Sequence, residues 1–188
     1  MSTLITDNAN ITNVNTGTIK DSTGNTTAIT IDGSGRVAQP QKPYLFAQVQ
    51  GGSNPAITPS GFAGKIPYNA VLASSGISLD TSTSLFTVPV TGLYQISAAI
   101  RIQAERTFVY WAVVDDNSGS PQVLPDADGG NNIVLCHGYN GHSFTTATGS
   151  CMQILRTGKS YYLRANDSSA TATTCQVLQT WFQIYFVG

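Results

Sequence analysis

The residues that could do chemistry are few and loosely spaced. His137 and His142 flank Gly138-Tyr139-Asn140-Gly141, with Cys136 beside the first histidine. Two imidazoles across a turn and one thiol could start a metal site, but no fourth ligand is specified. Asp126-Ala127-Asp128-Gly129-Gly130-Asn131-Asn132 resembles the start of a calcium loop. Its fifth position is Gly130 and its twelfth is His137, where an EF-hand needs oxygen ligands. The acidic turn Asp115-Asp116-Asn117 adds nothing to it, and Asx-rich loops serve turn geometry. Asp126, Asp128, His137 and His142, with Cys136 beside them, are thus the candidate metal ligands, and calcium is the ion the two carboxylates would suit. The sequence calls for no cofactor. Catalysis finds still less: no Gly-x-Ser-x-Gly elbow, no phosphate loop, two histidines as bases, and Glu105 as the sole glutamate. An enzyme is not expected.

Composition narrows the classes further. Charged residues make up 10% of 188, against roughly 25% in an average soluble domain. The nine Lys and Arg are scattered and the net charge is −1, which argues against nucleic acid, since that contact needs clustered cations. Hydrophobic residues at 41% allow a sizeable core. Thr, Ser, Asn and Gly keep the surface wet in place of charge, and Thr suits strands. No apolar stretch approaches the ~20 residues of a membrane-spanning helix. The N-terminus lacks the basic and apolar regions of a secretory signal, so the chain is expected to fold in a reducing cytosol. Cys136, Cys151 and Cys175, an odd set without paired spacing, are then expected as free thiols.

Two segments differ in texture. Residues 1–40 are nearly free of aromatics, with Ile11, Val14, Ile19, Ile29, Ile31 and Val37 set among Thr, Asn, Gly and Asp. Turns are expected at Asp21–Asn25 and Asp32–Gly35, between short strands. Six modest apolar side chains cannot offset the entropy of ordering such a segment, so it is either disordered or leans on another surface, and leaning is the expectation. Residues 41–188 carry aromatic and β-branched runs split by Gly, Pro, Asn and Asp. Tyr94, Ile96, Ala98, Ile100 and Ile102 alternate with polar residues, a strand period. Further strands are expected at 44–50, 108–114, 133–137, 143–146, 151–155, 161–165 and 176–187. Many evenly spaced strands predict an all-β sandwich or jelly roll. The runs Phe108–Val114 and Trp181–Val187 are apolar on both faces. A sandwich strand needs one apolar face, so the second requires a cover, either a loop or another subunit.

From Tyr68 onward the sequence resembles the C1q-like family, relatives of the tumour-necrosis-factor superfamily. The carriers are Asn69, Gly76, Asp80, Phe86, Thr87, Pro89, Gly92 and Tyr94, the last five in the family's Phe-Thr-x-Pro-x-x-Gly-x-Tyr order. "GSCMQILRTGKSYYLRAND" and the closing "TWFQIYFVG" resemble two further family stretches. Lys159 replaces the family's usual Asp and Gln183 a Gly, and no collagen-like stalk is present. The resemblance implies a jelly-roll sandwich that assembles as a tight homotrimer. Phe108, Tyr110, Trp111, Trp181 and Tyr185 are then the expected interface residues. Gly92 is expected to supply a turn conformation, Pro89 a position without a ladder bond, and Tyr94 the start of a core strand.

The segment "TIKDSTGNTTAITIDGSGRV" resembles the arms of bacteriophage fibre and decoration proteins. Together these features predict a virion structural protein: a trimeric capsid decoration or head-fibre protein on the virion surface, assembled in the host cytoplasm. Its residues 1–40 would be an extended arm, with Ile11, Val14, Ile19, Ile29 and Ile31 anchoring it to capsid or other virion proteins. The alternative is a receptor-binding tip or adhesin that recognises host-surface glycan or protein. A secreted cytokine-like ligand is disfavoured by the missing signal.

Overall fold

The computed structural model describes residues 18–20, 27–31, 34, 37–38, 42–58, 64–103, 109–116, 121–124, 133–136, 144–167 and 172–188. Among them there is no helix, and sixteen strands carry the fold. They are β1 (Thr18–Lys20), β2 (Thr27–Ile31), β3 (Val37–Ala38), β4 (Tyr44–Gln48), β5 (Ala56–Ile57), β6 (Ala70–Ser75), β7 (Ser78–Asp80) and β8 (Leu85–Thr87). Then follow β9 (Gly92–Ile102), β10 (Val109–Asp115), β11 (Gln122–Val123), β12 (Ile133–Cys136), β13 (Thr145–Leu155), β14 (Ser160–Asp167), β15 (Thr173–Thr174) and β16 (Trp181–Phe186). The chain divides into two units, Met1–Gln41 and Lys42–Gly188. In the first, β1, β2 and β3 form an antiparallel sheet in that order. The expected turns between them lie outside the described residues, apart from Ser34.

The second unit is a jelly-roll β-sandwich. One sheet has the order β13-β9-β16-β4-β6; the other has β11-β10-β14-β8-β7, with β12 also paired to β10. Every named pairing is antiparallel. Strand β9 organises the first sheet. Its inward row, Tyr94, Ile96, Ala98, Ile100 and Ile102, is fully buried, while Gln95 is exposed and Ser97 half-buried. Val109, Trp111 and Val113 of β10, with Tyr161, Leu163 and Ala165 of β14, meet this row in the core. Phe182 lies against Tyr68 and Phe86, with ring centroids 4.5 and 5.5 Å apart.

Three expectations change. The strand expected at 176–187 spans only Trp181–Phe186, with a turn at 177–179 before it. The strands expected at 143–146 and 151–155 are, over the described residues from Thr145 on, parts of one strand, β13, paired residue for residue with β9 from Thr145↔Ile102 to Leu155↔Gly92. Gly149 is tolerated there because a long partner strand supplies the ladder, in which it pairs with Ala98. Gly92 does not have a positive φ; among the described residues the glycines that do are Gly51, Gly76 and Gly158. Glycine is needed at 92 for space instead. A Cβ would meet the Phe186 ring at 2.5 Å and the Gly188 carbonyl oxygen at 2.8 Å. That room lets Leu93 N donate to Gly188 O (2.6 Å) and Val187 N donate to Leu93 O (2.8 Å), stitching the C-terminus to β9.

The other motif residues acquire definite tasks. Asn69 pairs both backbone groups of Gln50: its Oδ1 accepts from Gln50 N and its Nδ2 donates to Gln50 O, each at 2.7 Å. Asp80 closes the β7–β8 turn, with Oδ1 accepting from Ser82 N and Oγ and Oδ2 from Thr83 Oγ1. The Ser82 hydroxyl first, then that of Thr83, holds its carboxyl down to about 2. Tyr94 donates its hydroxyl to Val90 O (2.8 Å) across the bend that holds Pro89, and its ring meets Phe186 edge-on at 5.2 Å. Tyr94→Ala should therefore cost roughly 3–5 kcal/mol in chemical denaturation, and Tyr94→Phe about 1 kcal/mol. A loss below about 1 kcal/mol for the alanine variant would contradict this packing.

Candidate assembly face

The pleat turns alternate residues of the β13-β9-β16-β4-β6 sheet away from the core. On β4, Leu45 and Ala47 are buried and Tyr44, Phe46 and Gln48 face outward; on β16, Phe182 and Ile184 are buried and Trp181, Gln183 and Tyr185 face outward. The register lines these residues into transverse rows. Met152, Gln95, Tyr185 and Tyr44 form one, Ser150, Ser97, Gln183 and Phe46 the next, and Thr148, Ala99, Trp181 and Gln48 the third. Tyr44 and Tyr185 stack at 6.4 Å and 22°, while Phe46 meets Trp181 edge-on at 6.1 Å and 87°. Tyr185 donates its hydroxyl to Gln183 Oε1 at 2.7 Å, and Gln48 Nε2 donates to Leu178 O at 2.7 Å. Tyr185 is 45% exposed, Met152 45% and Ile154 60%. The one charged residue in the outward rows of these five strands is Arg101, whose guanidinium lies 4.6 Å from the Phe144 ring centre.

Such a face, aromatic and amide-bearing and almost without charge, has the composition of an interface centre: enriched in Tyr, Trp, Phe and Met, depleted of charge. Its side chains are pre-packed on a sheet, so covering them costs little rotamer freedom.

The expected interface residues divide. Trp181 and Tyr185 lie on this face together, Trp181 half-buried. Trp111 does not belong to any surface: it is fully buried in its own core, so it is removed from the set. Tyr110 lies on the opposite sheet, half-buried, its hydroxyl accepting from Asn166 Nδ2 at 2.6 Å. Its neighbours Ala112 and Val114 on that outer row are completely covered by the chain itself. The second apolar face of β10 is thus closed within the protomer, whereas that of β16 is open. Phe108 lies outside the described residues, as do Asp126, Asp128, His137 and His142. Among the described residues no three His, Cys, Asp or Glu gather as metal ligands. Of the arm residues, Ile19, Ile29 and Ile31 fall on described strands, and Ile11 and Val14 do not.

Sequence reasoning missed Tyr44, Phe46, Met152 and Ile154. "YLFAQ" is apolar at both parities, as "WFQIYF" is, so the first pair was legible. The second was not. On β13 the buried Gln153 points inward opposite Tyr94 while Met152 and Ile154 face outward, the reverse of what polarity indicates.

No protein-family model matches the sequence, and comparison with curated proteins gave no match. Solved structures do match in fold. Eiger TNF from S. frugiperda superposes with a TM-score of 0.56 at 10% identity, over 79% of this chain and 94% of that one. Murine APRIL gives 0.54 at 8%, over 78% and 100%. The globular domain of zebrafish complement 1qA gives 0.54 at 12%, over 78% and 98%. The fold is that of the tumour-necrosis-factor and C1q jelly rolls.

The described thiols are both free and shielded. Burial pushes Cys151, half-buried, up to about 11 and Cys175, buried, up to about 12. Folded protein holds these protons where unfolded chain releases them, so this contribution to stability is full below pH 9.0 and is lost as pH climbs through 11 to 12. Reductant should leave the melting temperature unchanged, and Cys175 should resist iodoacetamide at pH 8 until the protein unfolds. A fall of several degrees on reduction would instead reveal a disulfide.

Proposed function

We propose that this chain is a structural, non-catalytic protein of a bacteriophage particle, a trimeric capsid decoration or head-fibre protein anchored by residues 1–40. The observation that carries the reading is the open aromatic face of the β13-β9-β16-β4-β6 sheet. A jelly roll that leaves Tyr44, Phe46, Trp181 and Tyr185 on an uncharged surface is built to be covered, and threefold assembly covers it on every copy at once. The C1q-like resemblance of residues 68–188 supports a homotrimer. The fibre-like resemblance of the first segment supports attachment to a virion. Three arms on one trimer would act together, so weak single contacts give firm attachment.

A second reading has one observation in its favour. Aromatic rings interleaved with Gln48, Gln95 and Gln183 also suit sugar stacking, as in a receptor-binding tip that recognises host-surface glycan. The two readings compete for the same surface. Assembly buries it, whereas glycan recognition requires it open.

Light scattering at micromolar concentration should return a trimer, and melting should rise with protein concentration. Tyr185→Glu places a charge in the covered face, and at about 3–5 kcal/mol for an uncompensated buried charge it should give soluble monomers with unchanged circular dichroism. A wild-type monomer that binds glycan arrays through this face would favour the second reading. Deleting residues 1–40 should leave trimeric heads that no longer join particles; normal incorporation of the truncated head would place the anchor elsewhere.

A further inference from the structure

The register of the first unit sorts its residues cleanly. Ile19 pairs directly with Ile29, and Ile31 pairs with Val37. Residues 29 and 31 share a face because strand residues alternate, and directly paired residues lie on the same side of a sheet. The four branched aliphatic residues of β1–β3, Ile19, Ile29, Ile31 and Val37, therefore share one face of one small sheet. Thr18, Thr30 and Ala38 fall on the other, since Thr30 pairs with both neighbours. A three-stranded sheet needs its apolar face covered to persist in water. Four apolar residues in a single layer are too few for a core of their own.

We infer that this apolar face is covered by the same face of two further copies, so that three β1–β3 sheets pack around one axis into a short stalk. The inference rests on the trimeric head proposed above. Continuity of the chain favours this occupant over any other. Strand β4 carries Tyr44 and Phe46 of the assembly face, and Ala38 is six residues before Tyr44. Six residues span at most about 20 Å, so in a trimer built on that face the three sheets are tethered close to one another. Short tethers give effective concentrations in the millimolar range, which a capsid surface does not provide before docking. The like faces also match: branched aliphatic against branched aliphatic, with the Thr-bearing faces left to water. The division of labour changes accordingly. Ile19, Ile29, Ile31 and Val37 assemble the stalk, and the residues ahead of Thr18, Ile11 and Val14 among them, are left for anchorage.

The test uses the full chain. Ile29→Cys and, as a second probe of the same face, Ile31→Cys are treated with a short bis-maleimide, beside Thr30→Cys and wild type with its native thiols. Light scattering on each sample reports the head. The expected result is covalent dimers from Ile29→Cys and Ile31→Cys in several-fold excess over Thr30→Cys, which stays at the wild-type level. Trimers in which all variants stay at the wild-type level would overturn the inference and leave the trimeric head standing. Equal cross-linking at positions 29 and 30 would also overturn it, since the chains would then meet without a defined face. So would protection of a cysteine at position 29 that appears only on whole particles, which would make the virion surface the occupant. A monomeric wild type would remove the trimeric reading and this one with it.

Discussion

The junction where the C-terminus crosses the start of β9 holds the sandwich together. Gly92 leaves the space that the Phe186 ring and the terminal carbonyl occupy, and the backbone bonds between Leu93 and residues 187–188 close it. Tyr94, next along the strand, packs on that same Phe186 ring and ties its hydroxyl to the Val90 carbonyl. β16 is thereby fixed in register between β9 and β4, with Phe182 and Ile184 directed into the core. One register shift would exchange those two residues for Trp181, Gln183 and Tyr185. The same junction therefore sets both the core and the face that the core leaves outside.

That outer face and the outer face of β10 began as equals in the sequence, since both strands are apolar at both parities. The difference lies in what the rest of the chain puts over them. Ala112 and Val114 have no exposed surface within the protomer, while Tyr185 keeps nearly half of its own. Apolar area left open on a folded protomer is a free-energy reserve that association can realise, at ~25 cal/mol per Å² before the costs of docking. The stacked and edge-on ring pairs lower those costs, because the side chains are already ordered. In the proposed trimer, the sheet that supplies half the core also supplies the contact, so folding and assembly are linked.

The first unit has the opposite economy: its described strands form a single sheet with a sorted apolar face and, among the described residues, no second layer. Its short connection to β4 makes the proposed assembly of the heads and the proposed stalk a single cooperative event, in which the heads bring the small sheets together. A weak segment can then act as a defined spacer between a stable head and whatever it is fixed to.

The strand period of β9, the all-β class, the change of texture near residue 40 and the structural value of the Asn69–Tyr94 motif were legible in the sequence, because alternation and turn chemistry are local properties. So was the presence of a second apolar face on β16. The tertiary structure decided the rest. It joined 145–146 and 151–155 into β13, because pairing with a long neighbour overrides a local glycine. It replaced a conformational reason for Gly92 with a steric one, since the Phe186 ring that needs the space is 94 positions away in the chain. It moved Trp111 from interface to core, and it brought Tyr44, Phe46, Trp181 and Tyr185 onto one surface from opposite ends of the unit. Sequence records which side chains want to leave water; only the packing of distant strands determines which of them are left at the surface.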